Sequence, residues 1–277
     1  MVKAVVAVVA ALGMLATVGL GAVVWADRVD GEPFEAPDAT TADLQAVAGS
    51  RVFFGHRSVG FNVLDGLPEV YERAGVDAPS IVESREAPEA EAIVHVEIGE
   101  NGRPLEKIAN FDRIMREGMA EQVDAAVLKL CYVDLRAGEA DVDEIFTAYR
   151  DTLAALARDY PATAFVAATA PLTTERGPKG KLKALFGRGD RYGPEHNVLR
   201  QRFNSLVRAE FDEPGRLFDI AAVQSTDPSG ERVAFSSRGE TYYSLSDDYA
   251  KDPGHLNARG AQVAASAFIA VLADALA

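Results

Sequence analysis

The chain is poor in the residues that carry metal and redox chemistry. Its 277 residues include one cysteine, Cys131, and four histidines, with no HExxH spacing. A single thiol excludes an intrachain disulfide framework and any zinc site built on cysteines. Nothing in the sequence implies a cofactor, and a metal-dependent enzyme is left as a third reading. Positive charge is also scarce: 28 Lys+Arg stand against 42 Asp+Glu, a formal net charge of −14. That balance argues against a nucleic-acid binder, which needs a basic face to neutralise phosphates. It gives no support to binding at an anionic membrane surface either. No Pro/Gly/Ser-rich linker divides the body and no internal repeat is visible, so one large domain is expected. What is present is apolar material: 48% of residues are hydrophobic, enough for a buried core and too much for global disorder.

The amino terminus stands apart. Residues 1–25 carry one charge, Lys3, before an uncharged apolar run from Ala4 to Trp25. The run exceeds a usual signal-peptide core and is just long enough to span a bilayer. Val24 and Ala26 occupy the −3 and −1 positions of a possible cleavage site before Asp27. A cleaved signal and a retained anchor both fit; either exports the body and leaves Lys3 inside. The expected organisation is therefore 1–26 as signal or anchor, 27–40 as linker, and 41–277 as the functional domain outside the cytoplasm.

The body alternates in period. Residues 51–56 (RVFFGH), 93–98, 125–133 (AAVLKLCYV), 164–170 and 217–221 are apolar runs of strand length. Between them, 41–48, 60–74, 105–119, 142–158, 195–211 and 257–276 show helical spacing, with a break expected at Pro68. Residues 82–91 read as exposed linker. Five β-α units predict an α/β fold, a three-layer α/β/α sandwich around a mainly parallel five-stranded sheet. In such sheets ligands bind beyond the carboxyl ends of the strands.

Two loops at that edge carry chemistry. Gly55-His56-Arg57-Ser58-Val59-Gly60 follows the first strand and opens a helix. Ser58 there is either a plain helix cap or a hydroxyl presented at the helix amino terminus, where negative charge is stabilised. Asp252-Pro253-Gly254-His255 precedes the last helix. Pro and Gly in the middle suit a type II turn, which brings the outer residues together. The carboxylate then orients the imidazole as a base requires, unless the segment is only a surface turn. The stretch 173–193 is long for a connection and carries six cationic against two acidic side chains, so a lid or an anion contact competes there with a solvated excursion. His56 is either a substrate-side group or a strand-end histidine satisfied by backbone. Cys131, His95, Lys129, Asp134 and His196 read mainly as structural, with a Cys131–His255 pair and a substrate contact at Asp134 as the sharper alternatives.

Together, a serine after the first strand and a D-x-x-H before the last helix resemble the SGNH (GDSL-type) hydrolase superfamily over roughly residues 51–276. The stretches ATAPL (168–172), NVLRQRFN (197–204) and LFDI (217–220) look like that family's fourth strand, following helix and fifth strand. The resemblance implies a flavodoxin-like fold and an esterase without a cofactor. It makes Ser58 the nucleophile, His255 the general base and Asp252 its orienting partner. The Ser58 amide would be one oxyanion donor; Gly99, Asn101 or Gly102 would supply the second, with His56 beside the substrate. The expected partner is an acylated small molecule or, from the exported location alone, an acylated envelope glycan, with acyl transfer using the same residues. Two blocks depart from the family pattern: Gly-His-Arg-Ser stands for Gly-Asp-Ser, and Leu130-Cys131-Tyr132-Val133-Asp134 lacks the usual asparagine. These departures keep open a non-catalytic envelope protein of the same fold that binds glycan or a protein. Oligomeric state is not legible.

Overall fold

The protein is seen here as a computed structural model that describes residues 28–30, 33–175 and 192–277. The amino-terminal apolar run, expected as a signal or anchor, and the cationic part of 173–193 lie outside the described residues.

Parallel strands, apolar and buried on both faces except at one edge, build the centre. They are β2 (Arg51–His56), β3 (Ser80–Glu83), β4 (Ala92–Glu97), β5 (Ala125–Leu128), β6 (Ala164–Ala168) and β7 (Leu217–Phe218), in the order β3-β4-β2-β5-β6-β7, every neighbour pair parallel. Without the edge strand β3 the order is second-first-third-fourth-fifth, the flavodoxin-like doubly wound arrangement. Alternation along β5 shows why both faces are covered: Ala125 and Val127 enter one core cluster, Ala126 and Leu128 the other.

On the first face lie α1 (Thr41–Ala48), α2 (Val59–Ala74) and α7 (Ala258–Leu276). Helix α7 is long and apolar enough to cross a membrane, but most of its surface is buried in this core. Gly66 lets α2 and α7 close on each other, since a Cβ there would sit 2.3 Å from the Ala261 carbonyl oxygen. On the second face lie α3 (Pro104–Ile114), α4 (Val142–Asp159) and α5 (Pro194–Phe211).

Four expectations are corrected. The sheet has six strands, because 80–83 within the supposed exposed stretch pairs with β4 as a half-exposed edge. The fifth strand ends at Phe218; Asp219 then accepts from the Ala222 amide and starts α6 (Ile220–Ser225). The third strand stops at Leu128, and Tyr132–Asp134 form a 3-10 turn. Pro68 sits inside an unbroken α2. It is exposed, while Val63, Leu64, Leu67, Val70 and Tyr71 are buried around it, so packing outweighs the lost backbone bond.

Two antiparallel additions were not foreseen. Strands β8 (Val233–Ser237) and β9 (Glu240–Tyr243) form a sheet with β1 (Arg28–Asp30). Strands β10 (Ala250–Asp252) and β11 (His255–Leu256) form a small hairpin in front of α7.

Candidate active site

Parallel order fixes where chemistry gathers. Strand order reverses between β2 and β5, and the crevice at such a switch point opens beyond the carboxyl ends of the strands. Ser58 follows β2 at that edge, and the Tyr132–Asp134 turn follows β5.

Ser58 precedes the first residue of α2 but does not cap it with its side chain. Its backbone has φ 53° and ψ −105°, one of two non-glycine residues with positive φ among those described. That conformation costs about 1–3 kcal/mol and survives only where surrounding structure imposes it. At the same junction a Cβ on residue 60 would lie 2.3 Å from His56 Nδ1, so only glycine lets α2 start this close to β2. The released hydroxyl donates to His255 Nε2 at 2.7 Å. Among the described residues no group accepts the Ser58 N–H.

His255 is fixed from behind. Both oxygens of Asp252 lie 2.9 Å from its Nδ1. Oδ1 also accepts from the amides of Gly254 at 2.9 Å and His255 at 3.0 Å. Partial burial pushes the Asp252 carboxyl up. The Gly254 amide, the imidazole and the His255 amide outweigh it and hold the group below its ordinary value. An ionised carboxylate only accepts, so Nδ1 carries the proton and Nε2 presents its lone pair to Ser58. The type II turn is corrected: Gly254 does not have positive φ, and the hairpin is closed by the Asp252 side chain instead. Glycine is required at 254 for space, since a Cβ there would lie 2.5 Å from Tyr132 Cζ. Asn62, one turn into α2, accepts from the Leu256 amide at 3.1 Å and ties the serine helix to the histidine hairpin.

The other predicted site residues fall elsewhere. The His56 side chain is fully buried between Phe54, Phe61 and His95, with Nε2 3.1 Å from His95 Nδ1. Burial, then the charge of Lys129, lowers its pKa to about 2, so it is a neutral core imidazole and not a substrate-side group. The Gly99 amide donates to Asn110 Oδ1 at 3.2 Å and the Gly102 amide to Asp134 Oδ1 at 2.8 Å, so neither is free to meet an oxyanion. Asn110 on helix α3 engages the first and Asp134 in the 3-10 turn after β5 the second. Asn101 Oδ1 accepts from Lys107 Nζ at 2.9 Å. Cys131 is buried and it is Ser58, not Cys131, that meets His255. Asp134 serves its turn, accepting from the Cys131 amide at 2.7 Å. His196 Nδ1 accepts from the Ala137 amide at 3.1 Å, a structural contact.

Sequence reading missed three groups. Lys107 is fully buried and bonds both oxygens of Asp134, at 2.9 and 2.7 Å. A lysine beside Ile108 and four residues before Phe111, on the apolar face of α3, was the available signal. Arg200 is fully buried with Asn197 and Asn204 on the same face of α5, a polar stripe facing the core. Tyr132 gave no signal, because its position depends on the chain leaving the strand form after Leu128.

No family model matches this sequence, and no curated protein does. Solved structures similar to it include several described as lipases or acylhydrolases. A lipase/acylhydrolase from Enterococcus faecalis is 11% identical over 79% of this chain and 93% of its own, with TM-score 0.46. A GDSL-like lipase from Bacteroides thetaiotaomicron is 13% identical over 84% and 98%, with TM-score 0.46. The periplasmic domain of a lipopolysaccharide acetyltransferase from Salmonella ser. Paratyphi A is 13% identical over 78% and 81%, with TM-score 0.42.

Proposed function

We propose that the protein is a divergent SGNH-type serine hydrolase that cleaves ester bonds through an acyl-enzyme. The observation that carries this reading is the unbroken line from Asp252 through His255 to Ser58, at 2.9 and 2.7 Å. Ser58 Oγ attacks the acyl carbon as its proton passes to His255 Nε2, and the carbonyl electron pair moves to oxygen. Collapse expels the alcohol, which takes the proton from Nε2. Water then gives a proton to Nε2 and its oxygen attacks the acyl carbon; the acid leaves and Ser58 regains the proton. A second alcohol in place of water makes the same site an acyltransferase.

The unaccepted Ser58 N–H, at the amino end of a 16-residue helix, supports it as one oxyanion donor. With the glycine amides engaged, the Asn101 NH₂ group is the second donor in this reading. The apolar run at 4–25 supports export, as a secreted or anchored enzyme, and an acylated envelope glycan or small ester as substrate. One observation favours the other reading, a non-catalytic binding protein: the commitment of Gly99 and Gly102 to side chains.

Hydrolysis of p-nitrophenyl acetate by the detergent-solubilised full chain separates the two. The enzyme reading expects Ser58→Ala and His255→Ala to lose activity by roughly 10³-fold or more, and Asp252→Asn by about 10²–10⁴-fold. A folded wild type with no turnover, or turnover unchanged in Ser58→Ala, rejects it.

A further inference from the structure

We propose that Tyr132 is a positioning residue for His255, holding the imidazole in line with Ser58 while being clamped itself by Arg200. This rests on the reading of Ser58 and His255 as the reacting pair.

The imidazole needs a second constraint. Asp252 grips Nδ1, but the hairpin is a surface feature: the His255 side chain is 34% exposed and that of Asp252 46%. A hydrogen bond at one ring atom leaves the ring free to swing about it, carrying Nε2 off Ser58. Tyr132 blocks that swing. Its ring meets the imidazole in a T-shaped contact, centroids 5.9 Å apart and planes at 78°, the arrangement aromatic quadrupoles favour. The same ring fills the space where a side chain on residue 254 would begin, so hairpin and ring are fitted to each other.

Tyr132 in turn is not free to retreat. Arg200 Nε donates to its carbonyl oxygen at 2.9 Å, and the guanidinium lies 5.5 Å from its ring centroid. Arg200 Nη1 donates to Thr173 Oγ1 at 2.9 Å and Asn197 Oδ1 at 2.7 Å, fixing the loop after β6 to the loop after β5. The Thr174 amide donates to the Pro253 carbonyl at 2.9 Å, which closes the ring of contacts back onto the histidine hairpin. Burial brings the guanidinium down to about 10, a desolvated cation whose hydrogen bonds hold these loops rather than a carboxylate. The Tyr132 ring also packs against that of Tyr192, centroids 6.3 Å apart.

The test compares Tyr132→Ala, Tyr132→Phe and Gly254→Ala in the full chain. Each variant is followed by thermal unfolding, by kcat and KM on p-nitrophenyl acetate, and by the rate of fluorophosphonate labelling. Tyr132→Ala is expected to lower kcat and the labelling rate by about 10–100-fold while KM moves less than about threefold. Tyr132→Phe keeps the ring edge and is expected to restore both rates to within about threefold of wild type. Gly254→Ala pushes on the ring from a surface turn and is expected to reproduce the Tyr132→Ala loss in a folded protein. Labelling at the wild-type rate in Gly254→Ala, or in a folded Tyr132→Ala of lowered Tm, overturns the proposal. So does a Tyr132→Phe as slow as Tyr132→Ala. If Tyr132→Ala does not fold, Gly254→Ala and Tyr132→Phe decide alone. A wild type that Ser58→Ala leaves equally labelled refutes the hydrolase reading instead, and is seen before any Tyr132 variant is made.

Discussion

Lys129 shows how much a single residue at the site's edge resists the fold. Its ammonium is wholly out of water and donates to the Leu130 carbonyl at 3.1 Å. Burial lowers its pKa from 10.5 to about 8; Lys107 adds to the fall, while Cys131 and Asp134 oppose it. Between those two values the unfolded chain holds a proton that the folded chain has released, so stability rises with pH across that window. Below about 8 the full penalty is in force. Lys129→Met is therefore expected to be more stable at pH 7, by on the order of 3 kcal/mol before packing changes. The gain fades as pH approaches 10.5, and urea unfolding at pH 7 and 10 checks it. A variant less stable than wild type at pH 7 contradicts the account. At this scale the meeting of Ser58, His255 and Asp252 was legible because both segments sit at strand–helix junctions of one edge. The engagement of the Gly99 and Gly102 amides was not, because it depends on Asn110 and Asp134, which other elements bring to them.

Among elements, the loops after β4 and β5 are joined by one buried pair. Lys107 on α3 reaches Asp134 in the 3-10 turn, and the same carboxylate accepts from the Gly102 and Cys131 amides. Removing one charge strands the other. Asp134→Asn is expected to cost about 3–5 kcal/mol in urea unfolding, and adding Lys107→Met to recover most of it. A cost below about 1 kcal/mol for Asp134→Asn alone shows that the pair does not hold the loops. The buried parallel strands were readable from apolar runs. Edge strand β3 was not, because Ser80–Glu83 are mostly exposed and carry no apolar run. The end of β7 at Phe218 turns on Asp219, which bonds Arg208 as well as the Ala222 amide, a partnership across elements that local spacing does not reveal.

For the whole molecule, strand order does the placing. Because β2 and β5 are neighbours at the reversal, the serine loop and the Tyr132–Asp134 turn share one edge of the sheet, and β10–β11 brings His255 back to it from 197 residues away. The layered architecture was legible in the alternation of periods; the antiparallel additions were not, because each stands outside the β-α rhythm. The buried histidine pair His56–His95 contributes to the molecule's response to acid. Burial holds His56 and His95 below the ordinary histidine value of 6.5, so the unfolded chain takes protons first and stability falls as pH drops below 6.5. For His56, whose folded value is about 2, the loss is expected to approach about 1.4 kcal/mol per pH unit between pH 6 and 5, above the range where carboxylates titrate, and to disappear in His56→Asn. Unfolding midpoints flat across that interval contradict it. The central claim is more direct to test: intact mass and peptide mapping of the full chain after exposure to a fluorophosphonate. The account predicts a single adduct on Ser58, absent in Ser58→Ala and strongly slowed in His255→Ala. A folded protein that takes no adduct, or takes it elsewhere with Ser58 untouched, contradicts it.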